Sequence, residues 1–224
     1  MCGRFVGFNT LEMLQTHFPI DVAEAKVTPN YNVAPTQEIL AISRHDGKNV
    51  LLNYHWGLVP FWAKDLSIGN RLINARSETV ATKPSFRTAF KERRCLIPSN
   101  GFYEWKGSKG QKQPVFFSLP DDRPFVFAGL WEIWDNKGKE KTPYRSCTIL
   151  TREASESVRP IHHRMPVILK PEAYDSWLDP DIRDTRLISG IIQKQIFTEL
   201  KSAPVSKQVN SVRNNAPDNI REEL

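Results

Sequence analysis

The chain has 224 residues, 40% hydrophobic and 25% charged, and its 31 basic residues exceed its 25 acidic ones for a formal net charge of +6. A length of this order suits one domain with its own core. No run approaches the roughly 18 apolar residues of a membrane span, and three scattered cysteines exclude a disulfide scaffold and a zinc ribbon.

The polar residues of MCGRFVGFNTLEML come too early for a signal peptide, so the expected location is cytoplasmic. CGRFVGF alternates apolar side chains and reads as an anchored strand, with Cys2 at its start. Thr10 is placed to cap a short helix over 10–17. TPNYNVAPTQEILAIS begins irregularly at its prolines and becomes a strand at EILAIS. The turn signal HDGKN then leads into VLLNYHWGLV, which makes a hairpin. KPSFRTAFKER is predicted helical, with Pro84 near its first turn. A run of strands follows: RCLIPS, GFYEWKG, QPVFFSL, PFVFAGLWEIW and YRSCTILT, with KGSKGQK and DNKGKEK as solvent-facing hairpin tips. Cys95 and Cys147 lie in these apolar runs and are expected to be buried core thiols. REASESVR and KPEAYDSWL are predicted as short helices around the strand MPVILK, and RLISGIIQKQIFTELK mixes helical spacing with a central Gly190. The last stretch, APVSKQVNSVRNNAPDN, is irregular and polar.

This pattern predicts a single α+β domain over 1–224, built on a mixed, mostly antiparallel, partly barrel-like β-sheet with flanking helices. The βα alternation of a doubly wound sheet is missing. So are glycine-rich phosphate loops, and no nucleotide cofactor is expected. The histidines lack ligand spacing, so no metal is expected either. The basic excess is compatible with a polyanionic partner.

The chemistry centres on Cys2. Removal of Met1 would leave one residue with both an α-amine, of reference pKa about 7.7–8.0, and a thiol of about 8.5. Arg4 nearby would favour the thiolate. Such an aminothiol has two reactions open to it. With an aldehyde, the amine forms an imine and the thiol closes on it to give a thiazolidine. With an acyl group, the thiol attacks while the amine serves as base, as in N-terminal-nucleophile hydrolases. The plain alternative is a frayed end with an idle thiol.

Other stretches offer partners. LINARSET supplies Asn74, Arg76 and Glu78, or else an ordinary polar turn. In GFYEW, strand alternation sets Glu104 opposite Tyr103 and Trp105. There it is an acid–base group of raised pKa or a solvated strand carboxylate. In IHHRMP the adjacent His162 and His163 on a strand would face opposite ways, so one enters a site. WGLVPFWAK sets Trp56, Phe61 and Trp62 for base stacking or for the core.

MCGRF, YNVAP, WGLVPFW, INARSET, GFYEW, HHRMPVIL and PVSKQVNSV together, in this order from residue 2 to about residue 212, resemble the SRAP family of SOS-response-associated peptidases, or abasic-site processing proteins. The resemblance implies an α+β fold and covalent capture of abasic sites in single-stranded DNA, which shields them during the DNA-damage response. It implies that Cys2, freed of Met1, forms the thiazolidine crosslink. Asn74 orients the sugar, Glu104 transfers protons, and His162 promotes ring opening. Arg4 and Arg76 match phosphate contacts, and Trp62 matches an aromatic that holds displaced bases. His163 matches no family role. The chemistry implied is lyase-type crosslinking, with a proposed autopeptidase step that removes the N-terminal residue and needs no cofactor. The protein would act as a monomer, nucleoid-associated when bound to DNA. Two rivals stay open: an N-terminal-nucleophile thiol peptidase or amidohydrolase, and a non-covalent single-strand binder in which Cys2 is incidental.

Overall fold

Side-chain alternation along five strands closes a barrel in the computed structural model, which describes residues 2–108, 111–135 and 143–223. In chain order the elements are β1 (Phe5–Gly7), α1 (Leu11–His17), β2 (Val22–Ala23), β3 (Asn30–Val33), β4 (Glu38–His45), β5 (Lys48–Trp56) and β6 (Asn74–Arg76). Then come α2 (Arg87–Glu92), β7 (Arg94–Ser99), β8 (Gly101–Lys106), β9 (Gln113–Ser118), β10 (Phe125–Trp134) and β11 (Tyr144–Glu153). The chain continues through β12 (Arg164–Pro166), β13 (Ile168–Leu169), α3 (Tyr174–Leu178), α4 (Thr185–Lys194) and β14 (Lys201–Pro204).

Strands β5, β4, β7, β10 and β11 pair antiparallel in that order, and the ring closes where β11 meets β5 in parallel at Ser146–His55 and Cys147–Trp56. Successive residues point to opposite faces. Ile39, Ala41, Leu52, Tyr54, Ile97 and Phe127 therefore fill the inside. Ile42, Leu51, Leu96 and Val126 face outward, against Leu14 of α1, Phe90 of α2, Trp177 of α3 and Ile188 of α4. The interior is tight at Gly129, where an added Cβ would lie 2.7 Å from the Ile97 Cδ1 and 2.8 Å from the Cys95 Sγ. A second sheet, in the order β14-β9-β8-β1-β3, lays Phe5, Phe102 and Phe117 against the barrel cluster. Its other face carries Val6, Tyr103, Val205 and Val209.

Most predicted elements are present. Thr10 accepts a hydrogen bond from the Met13 amide and caps α1. The β4–β5 hairpin turns at Asp46 and Gly47, both at positive φ. Cys95 and Cys147 are free and buried. Helix α4 runs through Gly190 because Ile188 and Ile192 anchor it on the core, which outweighs a glycine cost of about 1 kcal/mol.

Two predicted helices differ. Residues 152–159 are the end of β11 followed by turns, since Arg152 and Glu153 are still paired to β12. The helix after Pro84 begins only at Arg87, because the Lys83 carbonyl accepts from the Phe86 and Arg87 amides and closes a separate turn first. Within the predicted hairpin tips KGSKGQK and DNKGKEK, residues 109–110 and 136–141 lie outside the described residues.

Arg94 ties two helices to the barrel. Its guanidinium donates to the Phe90 and Lys91 carbonyls at the end of α2, at 2.9 and 2.6 Å, and to the Trp177 carbonyl of α3 at 2.7 Å. It also donates to the Asp179 carbonyl. Those carbonyls are the helix-end acceptors that lack intrahelical donors. Arg94→Met should lower the stability measured in urea by on the order of 3 kcal/mol, because several acceptors then lose a charged donor. An unchanged denaturation midpoint would refute that role.

Candidate active site

The chain start, β6, β8 and the turn before β12 converge on one point. Cys2 is fully buried and precedes β1, which lies between β8 and β3. Asn74, the first residue of β6, donates from Nδ2 to the Cys2 carbonyl at 2.9 Å, while its Oδ1 is buried with no hydrogen-bond partner among the described residues. Strand β6 is held there by parallel pairing with β11, Asn74 lying opposite Ile149. Glu104 of β8 is 4% exposed, and its Oε1 lies 4.0 Å from the His162 Nδ1. Tyr103 and Trp105 pack on the opposite face of the sheet, as strand alternation requires.

Burial sets the protonation states. It pushes the Glu104 carboxyl up to about 7, against the opposing charge of the chain's α-ammonium and, to a smaller extent, of Lys112. Burial, reinforced by Glu104, also raises the Cys2 thiol well above its ordinary range. The thiolate expected from Arg4 is therefore not the favoured state: Arg4 offers Cys2 its backbone amide, not its charge. The Arg4 guanidinium is engaged on the far face of the sheet. Its Nη1 donates to the Asn32 Oδ1 at 2.7 Å and to the Val209 carbonyl at 2.8 Å, and it stacks over the Trp105 ring at 5.7 Å.

Burial likewise lowers His162, against the pull of the Arg164 backbone; its Nδ1 lies 2.9 Å from the Arg164 amide and 3.0 Å from the Arg164 carbonyl. The expectation that His162 and His163 point apart fails, because both precede β12 in a bend, where strand alternation does not operate. Their rings stack instead, 4.5 Å apart. His163 is exposed and lines a cleft of about 440 Å³ with Arg76, Arg159, Arg164 and Glu153.

The other predicted residues divide. Arg76, at the end of β6, is exposed on that cleft. Trp62 and Phe61 are 48% and 55% exposed on the loop after β5, held in part by the Trp134 indole donating to the Ala63 carbonyl at 2.9 Å. Trp56 is a barrel core residue. Glu78 is not an acid of the site. It forms a two-pronged ion pair with Arg164, at 2.7 and 2.9 Å, and Arg164 also donates to the Thr151 carbonyl at 2.7 Å. Burial raises the Glu78 carboxyl, but these bonds outweigh it and hold the group below its ordinary value. The pair clamps the loop after β6 to the turn carrying His162. Neither this clamp nor Lys112 was found in the sequence: Glu78 and Arg164 are 86 positions apart, and Lys112 read as part of a hairpin tip.

Among the described residues no group of three or more His, Cys, Asp or Glu side chains is placed to hold a metal, and no helix is long and apolar enough to cross a membrane.

Known proteins resemble this chain in sequence and in architecture. The family model described as SOS response associated peptidase (SRAP) matches residues 1–212. The chain is 41% identical over 223 residues to the abasic site processing protein YoqW of Bacillus subtilis, covering 98% of this chain and 99% of the relative. It is 30% identical to the abasic site processing protein YedK of Escherichia coli, over 99% of both. It is 34% identical to the abasic site processing protein HMCES of Gallus gallus, over 87% of this chain and 66% of that one. A crystal structure of a protein from Bacteroides thetaiotaomicron matches with a TM-score of 0.86 over all of both chains, at 22% identity, and shares the fold.

Proposed function

The chain belongs to the SRAP family, and we propose that it processes abasic sites in DNA by covalent capture through Cys2, shielding the lesion in single-stranded DNA. The observation that carries the reading is the convergence of Cys2, Asn74, Glu104 and His162, with a Glu104 carboxyl near pKa 7.

In this reading, hydrolysis of the Met1–Cys2 peptide bond consumes one water and frees the α-amine of Cys2. The amine attacks the aldehyde carbon of the ring-opened sugar, and the adduct expels water to leave an imine. The thiol then adds to the imine carbon. A C–S bond forms, the thiol proton ends on nitrogen, and the five-membered ring is closed. One water is lost in the capture, and carbon keeps its oxidation level, so no redox partner is needed. Glu104, partly protonated at neutral pH, serves as acid for water loss and as base toward the thiol, which burial keeps protonated. His162, beside Glu104, promotes ring opening by proton transfer. Asn74 offers its unpartnered Oδ1 to a sugar hydroxyl. Arg76 on the cleft takes a flanking phosphate, and exposed Trp62 stacks on bases beside the lesion.

The test is gel mobility under denaturing conditions. A shifted band should form with a single-stranded oligonucleotide carrying one abasic site and not with the intact strand. It should require a mass-verified N-terminus beginning at Cys2. A band of equal strength on the intact strand would overturn the reading.

A further inference from the structure

The residues that flank Cys2 and Glu104 on the opposite side of their sheet are all tied to one segment, residues 205–223. This segment is a closed loop. Val205 bridges Glu222, and the Glu223 amide donates to the Pro204 carbonyl at 2.9 Å. Two asparagines stiffen it from within: Asn214 donates to the Gln208 carbonyl at 2.8 Å and Asn219 to the Asn214 carbonyl at 2.7 Å. Two short 3-10 helices, Lys207–Asn210 and Pro217–Ile220, shape the segment further.

Asn32 is its anchor. This side chain is 1% exposed on β3. Its Nδ2 faces three carbonyls of the loop, those of Val209, Ser211 and Asn214, at 3.2, 2.9 and 2.8 Å, while its Oδ1 accepts from Arg4. Arg4 also binds the Val209 carbonyl directly. On β8 the Trp105 indole donates to the Asn210 Oδ1 at 2.7 Å, and the Tyr103 hydroxyl donates to the Tyr31 carbonyl of β3 at 2.8 Å and lies 3.4 Å from the Asn219 carbonyl of the segment. The loop thus grips Arg4, just before β1 and two residues from Cys2, and β8 on the residue after Glu104. Those strands pair directly, the Tyr103 amide donating to the Arg4 carbonyl at 2.9 Å. The anchoring residue Asn214 lies beyond position 212, where the family match ends.

We propose that residues 205–223, anchored through Asn32 and Arg4, form a brace that sets the position of Cys2 relative to Glu104, and that Asn32 and Arg4 are positioning residues for capture. The proposal rests on the covalent-capture reading. A misplacement of reacting groups by about 1 Å can cost on the order of 100-fold in rate, so the brace acts on the chemical step and not on DNA affinity.

Single-turnover crosslinking of the full chain, followed against the concentration of an abasic oligonucleotide and against salt, separates the roles. Asn32→Ala should lower the limiting rate by about 10- to 100-fold and leave the half-saturating concentration and salt slope unchanged. Trp105→Phe, which keeps the ring under Arg4 but loses the bond to Asn210, should lower the limiting rate less and serves if Asn32→Ala does not fold. An unchanged limiting rate in both overturns the brace. So does an Arg4→Met variant whose limiting rate is intact while its salt slope falls by about one, the mark of a lost phosphate contact. If the unsubstituted protein forms no covalent adduct, the capture reading fails by itself. Hydrogen exchange then decides on the brace: β1 and β8 amides should exchange faster in Asn32→Ala, and unchanged protection rules it out.

Discussion

Cys2→Ala should abolish the denaturation-resistant band on abasic DNA while leaving a weaker, reducible linkage. With Met1 removed, the variant keeps an α-amine on its first residue, so it can still form an imine with the aldehyde. It lacks the sulfur that closes the ring. Ring closure is intramolecular, and effective molarities for such steps are very large, about 10⁵ M or more in favourable geometries. The thiazolidine is therefore expected to outlast the open imine by at least about 100-fold. The expected gel shows no band for Cys2→Ala without reductant and a band when borohydride is present during incubation. A stable band without reductant would remove sulfur from the mechanism. No band even with borohydride would place the amine out of reach of the aldehyde.

Glu104→Gln is the second large effect, and it has two readouts of opposite sign. The carboxyl is displaced from an ordinary 4.5 up to about 7 by burial. Between those values the folded chain binds a proton that the unfolded chain has released, so this group makes stability fall as pH rises through the window. Below pH 4.5 both states are protonated and the cost vanishes. Above about pH 7 it persists in full, on the order of 3 kcal/mol at about 1.36 kcal/mol per pH unit. Removing the charge should therefore stabilise the protein at about pH 8 and leave it nearly unchanged at about pH 4. Crosslinking should fall by roughly 10²- to 10⁴-fold with loss of the acid–base group, and the inflection near pH 7 in the rate profile should disappear. Chemical denaturation at the two pH values and initial crosslinking rates across roughly pH 5–9 measure both. A variant less stable than the parent at the higher pH would show that the carboxylate supports the fold, and an unaltered pH profile would assign the inflection elsewhere.

These effects reflect two kinds of information in the chain. Strand alternation is local: Ile39 and Ala41 of β4, or Phe102 and Glu104 of β8, share a face because they are two residues apart. The strands and the opposition of Glu104 to Tyr103 and Trp105 were therefore legible in the sequence. So were the Thr10 cap and the singular chemistry of a cysteine at position 2. Local patterns misled where other geometry took over. Adjacent histidines stack because they occupy a bend, and Arg152 and Glu153 extend β11 because β12 is there to pair with them.

What no spacing revealed depends on contacts between distant positions. Arg4 sits two residues from Cys2, yet its charge is used on the other face of the sheet by Asn32 and by Val209, 205 positions away. Glu78 read as a free acid until its partner Arg164 was placed beside it. The Cys2 thiol and the Glu104 carboxyl owe their displaced protonation to loss of solvent, which is a property of the assembled core. Residue order alone thus settles which reactive groups the protein possesses and which strands carry them. How far those groups are removed from water, and which opposite charges reach them, is settled in the folded chain, because desolvation and pairing depend on neighbours far along the sequence.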